Sequence, residues 1–232
     1  MGDVSVMARR LKDGHVQHGW SGNGGCYRTA GGRLQAWYND PDLVEYLFGL
    51  GQLELIGKPG SEKGGFSWMT THSMTGKPHY LGISENDIFR KIAFVDYAYF
   101  YDIDNKWYYI APRNFKIKMP SQLVENHLDD RCYEFDFIQE IEQKILKYIL
   151  GEYANENLEF KNLLEEKGYS LTGIYDEFKD RDFILDRLCD KYKVFEEYFD
   201  DWIVVEANEN CTEVLGFKVK KDTGKHVETC YW

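Results

Sequence analysis

The sequence predicts an α+β protein: an antiparallel, β-rich N-terminal half with short helices, then a helical C-terminal segment followed by a terminal β-hairpin. Three observations carry this expectation. Of the 21 glycines, 16 fall within residues 1–82, where apolar residues alternate with polar ones as strands require. After Pro120 the apolar period changes from two to about 3.6. At the same point the charge changes sign, from 14 Lys/Arg against 12 Asp/Glu in residues 1–120 to 14 against 27 in residues 121–232. Two units are therefore drawn: residues 1–120, a Gly/aromatic-rich β domain, and residues 121–232, an acidic helical segment with C-terminal strands that can pack with the first as one domain.

Taken in order, Val4–Leu11 and His15–Trp20 flank Asp13-Gly14, a dipeptide suited to a two-residue hairpin turn because both of its positions tolerate positive φ. That turn places Leu11 opposite Val16, Arg9 opposite His18 and Met7 opposite Trp20. His18 and Trp20 then share one face, and His15 and Gln17 the other. Asp40 caps a helix that opens with Pro41 and buries Leu43, Val44, Leu47 and Phe48. Residues 52–56 form a strand, 58–65 a loop, 66–74 a further strand, and 84–92 a short capped helix. Residues 93–101 and 106–111 are aromatic strands joined by a turn at 102–105, and 115–119 is another strand.

Beyond Pro120, Phe137, Ile138, Ile141, Ile145, Tyr148 and Ile149 recur at helical spacing, and Gly151 is expected to end that helix. Residues 155–166 and 182–198 are also helical in pattern. Residues 202–206, 214–220 and 226–232 read as strands that either form their own sheet or return to the first.

Composition excludes several classes. Apolar runs such as 93–95 and 202–205 are far shorter than the roughly 20 residues of a membrane helix. Residues 1–14 lack the apolar core of a signal peptide, so a cytoplasmic protein without membrane contact is expected. The five cysteines form no C-x-x-C pair and fit reduced thiols. No phosphate loop, dinucleotide-binding glycine pattern or G-x-S-x-G nucleophile elbow is present, and no cofactor or metal is expected. Asp102-x-Asp104 with Asp96 offers oxygen ligands for Mg²⁺, and Asp and Asn are equally what a hairpin turn selects.

The stretch GHVQHGWSGNGGCY, residues 14–27, brings two histidines and a tryptophan among five glycines. His18 can serve as a general base and Trp20 can stack on a planar ligand, whereas the glycines also suit a hairpin and its loop. Residues 18–30, HGWSGNGGCYRTA, are similar to the strand segments of ADP-ribosyltransferases, in which a His-Gly pair and a later G-x-G-x-Y flank a nicotinamide pocket; here His18 and Tyr27 are much closer in sequence than in that family.

The second half is marked by acids interleaved with aromatics. Residues 175–210 hold 12 Asp/Glu against 5 Lys/Arg, and YDEFKDRD and VFEEYFDDW typify them. Glu134, Asp136, Asp176, Glu177, Asp180, Asp182, Glu196, Glu197, Asp200 and Asp201 are the carboxylates expected to form a binding surface. Displayed on a rigid frame, they imitate the phosphate ladder of a nucleic acid. In size, acidity and lack of a standard catalytic motif the chain resembles anti-CRISPR and antirestriction proteins of mobile genetic elements. That resemblance implies an inhibitor whose partner is a basic nucleic-acid-binding protein or ribonucleoprotein. The alternative is a nucleotide- or RNA-directed enzyme built around His18.

Overall fold

The computed structural model describes residues 4–21, 25–61, 73–74, 77–82, 97–111, 116–128, 134–166, 190–194, 201–220 and 227–231. Among these the protein is α+β. Strands β1 (Ser5–Arg10), β2 (Val16–Ser21), β3 (Leu53–Leu55), β4 (Ser73–Met74), β5 (Tyr80–Gly82), β6 (Tyr97–Tyr101), β7 (Trp107–Ala111), β8 (Lys116–Pro120), β9 (Trp202–Ala207), β10 (Val214–Lys220) and β11 (Val227–Tyr231) form one sheet. Its order is β11-β10-β9-β8-β7-β6-β1-β2-β3-β4, with β5 also paired to β2. The sheet therefore runs without a break across Pro120: the C-terminal strands return to the N-terminal ones, through parallel pairing of β8 with β9. Parallel pairing also joins β1 to β6 and β2 to β3.

The helical elements are a π-helical turn (Tyr27–Gly31), α1 (Gly32–Trp37), α2 (Pro41–Gly49), α3 (Ser121–His127), α4 (Glu134–Glu156), α5 (Leu158–Glu166) and α6 (Asp190–Tyr192). As its sequence requires, α2 is capped by Asp40, whose Oδ1 accepts from the Asp42 amide at 2.8 Å, and buries Val44, Leu47 and Phe48. Gly151 does not end α4, which continues to Glu156. A glycine stops a helix by entering the left-handed region, and Gly151 does not have positive φ.

The first hairpin differs from its expected register by one residue. The Gly14 amide donates to the Leu11 carbonyl at 3.0 Å and the Leu11 amide to the His15 carbonyl at 2.8 Å, with Gly14 at φ +89°. This is a three-residue loop closed by a left-handed residue rather than a two-residue turn. Arg10 consequently faces Val16, Ala8 faces His18 and Val6 faces Trp20. The turn after β6 repeats the device: the Asn105 amide donates to Asp102 at 3.0 Å, the Asp102 amide to Lys106 at 3.1 Å, and Asn105 takes φ +60°.

The main core lies on the helix-covered face and holds a group of packed aromatics among its aliphatic side chains. Tyr99 meets Tyr109 edge-on at 5.8 Å, Tyr27 lies 6.3 Å from both, and Tyr101 packs on Trp107 at 5.2 Å. Their polar tips are satisfied by backbone carbonyls. Tyr27 Oη donates to Ser121, Tyr99 Oη to Gly25, Trp107 Nε1 to Tyr38 and Tyr38 Oη to Gly57, at 2.5 to 2.8 Å. The middle-strand aromatics are thus cross-strand core pairs, with Tyr97, Tyr99, Tyr101, Trp107 and Tyr109 all buried.

On the opposite face, Val6, Ala8, Val16, Ala98, Phe100, Ile110 and Trp202 form a second cluster. Beside it Asp102 accepts from Arg10 Nε at 2.7 Å and from Lys118 Nζ at 2.5 Å. Lys118 also lies 4.7 Å from the Phe100 ring centre and 4.4 Å from that of Tyr108. One carboxylate thus links β1, the β6–β7 turn and β8. Burial pushes the Asp102 carboxyl up, but Lys118 and Arg10 outweigh it and hold the group below its ordinary range.

Two predictions follow from these bonds. Tyr27→Phe keeps the ring and leaves the Ser121 carbonyl without its phenolic donor; urea denaturation should show a loss of about 1 kcal/mol, and an unchanged midpoint would refute the bond's role. Asp102→Asn leaves Lys118 buried without its counter-charge and should cost about 3 kcal/mol at neutral pH. Because the folded Asp102 is the stronger acid, its contribution is complete above the unfolded value of about 3.9 and is lost as pH falls through the folded one. Stability-versus-pH curves for the two proteins should therefore converge on acidification.

Candidate functional site

Alternation along β2 does put His18 and Trp20 on one face, as expected, but opposite Ala8 and Val6 rather than Arg9 and Met7. His18 is buried, at 4% exposure, and its ring lies 5.7 Å from Tyr80 of β5, the residue it faces across the β2–β5 pair. Trp20 is half-buried against the second cluster. A general base needs access to substrate, which the buried His18 does not provide; Trp20 keeps part of its surface exposed. Tyr27 belongs to the helix-covered core, across the sheet from His18, so the two do not flank a shared pocket of the ADP-ribosyltransferase kind.

The glycine of this His-Gly-Trp run has a steric role. A Cβ on Gly19 would lie 2.3 Å from His79 Nδ1 and 2.9 Å from Gln52 Cγ. His79 stacks against Phe48 of α2 at 4.9 Å, and Gln52 is held by the Pro78 carbonyl, to which its Nε2 donates at 2.6 Å. Gly51, at φ +80°, has Lys77 O 2.6 Å from where its Cβ would be, and the Gln52 amide donates to that same carbonyl at 2.9 Å. Residues 77–79 are therefore clasped between β2 and the end of α2, and glycines stand where backbone and rings come too close for a side chain. Sequence reasoning missed this clasp, because 60 residues separate Gly19 from His79 and no local pattern joins them.

Burial is the main reason that the His79 imidazole is held down to about 4. His15 sits near the hairpin turn, with its Nδ1 3.1 Å from an Asp13 oxygen. Asp102 is engaged by Arg10 and Lys118, and Asp104 accepts from Tyr108 Oη at 2.6 Å, so both serve the turn and its neighbours; Asp96 lies outside the described residues. Among the described residues no group of three His, Cys, Asp or Glu side chains comes together to hold a metal ion. Cys26 and Cys211 are free thiols, both half-buried.

Of the carboxylates expected on a binding surface, Asp136 is exposed near the start of α4, and Glu134 opens that helix. Asp201 departs from the expectation. It is buried, at 6% exposure, because it immediately precedes β9, where Trp202 and Ile203 enter the sheet's two clusters. Asp176, Glu177, Asp180, Asp182, Glu196, Glu197 and Asp200 lie outside the described residues.

Exposed acids are present along α4 and α5. Glu140, Glu152 and Glu156 are exposed on α4 with Asp136, and Glu159, Glu165 and Glu166 on α5. Residues 134–166 hold nine Asp/Glu and three Lys, so these helices carry a clear negative excess. Lys144 is paired with Glu140 within the helix at 3.0 Å, which leaves the excess toward the α4 end and α5. The opposite sides of both helices are core: Ile141, Ile145, Ile149, Phe160 and Leu164 are buried.

No family model, no curated protein and no solved structure matches this chain. Among the described residues no helix is long and apolar enough to cross a membrane.

The clasp yields a pH prediction. His79 is neutral in the folded protein down to about 4 and titrates near 6.5 when unfolded. The unfolded chain therefore binds the extra proton between those values, and folding stability should fall as pH drops through that window. His79→Asn should flatten this part of the stability curve, and NMR of the labelled ring should show no protonation at pH 5.5; a ring that titrates near 6.5 in the folded protein would refute the assignment.

Proposed function

We propose that this chain is a binding protein: an anti-defence inhibitor of the CRISPR or restriction type that presents its acidic helical surface to a basic groove of a nucleic-acid-processing complex. The observation that carries this reading is the set of exposed carboxylates on α4 and α5: Asp136, Glu140, Glu152, Glu156, Glu159, Glu165 and Glu166. Helices anchored by a buried apolar side hold such charges at set spacings. A basic groove shaped for phosphates meets a comparable field there, and complementary fields steer association and select partners.

The chemistry elsewhere agrees with a binding role. His18, the candidate base, is enclosed, and Asp102, the candidate metal ligand, is neutralised by two cations. The acids of residues 175–200 would extend the same negative character.

The test is inhibition in cells that carry restriction or CRISPR systems, scored by phage plating efficiency, with purified complexes then titrated across salt. The wild-type chain should raise plating on the susceptible system. Combining E152Q, E156Q, E159Q, E165Q and E166Q, all at exposed positions, should abolish this while leaving the fold intact by circular dichroism. Affinity should drop about tenfold or more as the screening length shrinks from about 10 Å at 0.1 M salt toward 3 Å at 1 M. Salt-independent affinity, or full inhibition by the neutralised variant, would sink the proposal.

A further inference from the structure

Away from the acidic helices, α1 and the loop after β3 bring two cations to one indole. Arg33 lies one helical turn before Trp37, and its guanidinium carbon sits 5.7 Å from the Trp37 ring centre. Lys58 Nζ sits 5.5 Å from the same centre. Attraction to the ring holds each cation near it, while the two positive charges repel one another. Neither has a carboxylate partner among the described residues. Arg33 is half-buried, so its charge is partly withdrawn from water, with no carboxylate of the described residues paired to it.

The frame around these groups is rigid. Arg33 Nη1 donates to the Ile56 carbonyl at 2.8 Å, which fixes the guanidinium while using one of its five N–H donors. Tyr38 Oη donates to the Gly57 carbonyl at 2.7 Å, anchoring the chain immediately before Lys58. Lys58-Pro59-Gly60-Ser61 is a tight turn in which the Ser61 amide donates to Lys58 O at 3.1 Å, and Gly60 takes φ +77°. Pro followed by a left-handed glycine is the pairing that a type II turn requires. The Gly60 amide also donates to Tyr46 Oη of α2 at 3.1 Å. The Arg33 guanidinium is thus held by its hydrogen bond, and the backbone that carries Lys58 is held by the turn.

We propose that Arg33, Trp37 and Lys58 form a binding site for a phosphate-class oxyanion. A planar guanidinium fork, with one N–H engaged among the described residues, matches two phosphate oxygens, and an ammonium at the same indole supplies a second point charge for the anion. The half-buried indole beside them adds an apolar, π-rich wall that suits a phosphate carried on a planar base. This site is built from different elements and has the opposite charge from the acidic surface, so its occupancy is independent of that surface.

The experiment is an NMR titration of the full-length, ¹⁵N-labelled protein at constant ionic strength, following the Trp37 indole N–H and the Arg33 Nε–H. Inorganic phosphate, adenosine monophosphate and adenosine are the three probes. Phosphate and the nucleotide should each produce a saturable shift at both groups, and adenosine should not. A tighter nucleotide identifies a base-bearing ligand; equal affinities identify the bare phosphate group. Lys58→Gln, at an exposed turn position, and Arg33→Gln should each weaken phosphate about tenfold, or about 1.4 kcal/mol. Arg33→Lys, which keeps the charge and loses the fork, should fall between. No saturable shift with either phosphate compound, adenosine binding as well as its monophosphate, or undiminished affinity in Lys58→Gln would overturn the proposal.

Discussion

The structure depends on a set of buried aromatic side chains whose polar tips must all find acceptors. Tyr27, Tyr38, Tyr99 and Trp107 bury large rings against one face of the sheet, and each donates to a backbone carbonyl in a different part of the chain. The rings supply apolar burial; the hydroxyl and indole N–H groups determine where the intervening chain must lie, because a buried donor without a partner is costly. Gly25, Tyr38, Gly57 and Ser121 are the points so held. Gly31 follows from the same constraint, since a Cβ there would lie 2.6 Å from the Tyr27 ring and 2.8 Å from that of Tyr99.

This arrangement explains why the His/Gly/Trp-rich opening is architecture. Its second strand lies between β1 and β5, with His18 enclosed on one face and Gly19 giving way to His79 on the other. The free ends of the glycine-rich stretch are committed too: Gly14 closes a hairpin loop and the Gly25 carbonyl accepts from Tyr99.

Charge is distributed in a way that matches this division. Arg10 and Lys118 both pair with Asp102 beside Phe100, so that carboxylate is compensated within the sheet. Further out, α4 and α5 carry a negative excess, and two cations gather around Trp37. A long helix with a buried apolar stripe can carry its acids without disturbing the core, because its outward side makes few packing demands.

By itself the sequence determined the α+β class, the Asp40-capped helix at Pro41, the three strands from Tyr97 to Pro120, and the apolar stripe of α4. Each rests on local chemistry: a cap oxygen, a turn residue or a repeating apolar period. It also determined that His18 and Trp20 share a face, since alternation is a property of the strand alone. The tertiary structure decided which residues those two face, because three loop residues rather than two close the hairpin. It decided that the C-terminal strands join the first sheet, a pairing between residues more than eighty positions apart. It also decided that Asp201 is buried while the acids of α4 and α5 are exposed, and that Arg33 and Lys58 meet on Trp37. Burial and long-range contact depend on what packs from elsewhere in the chain, which no local pattern of residues encodes.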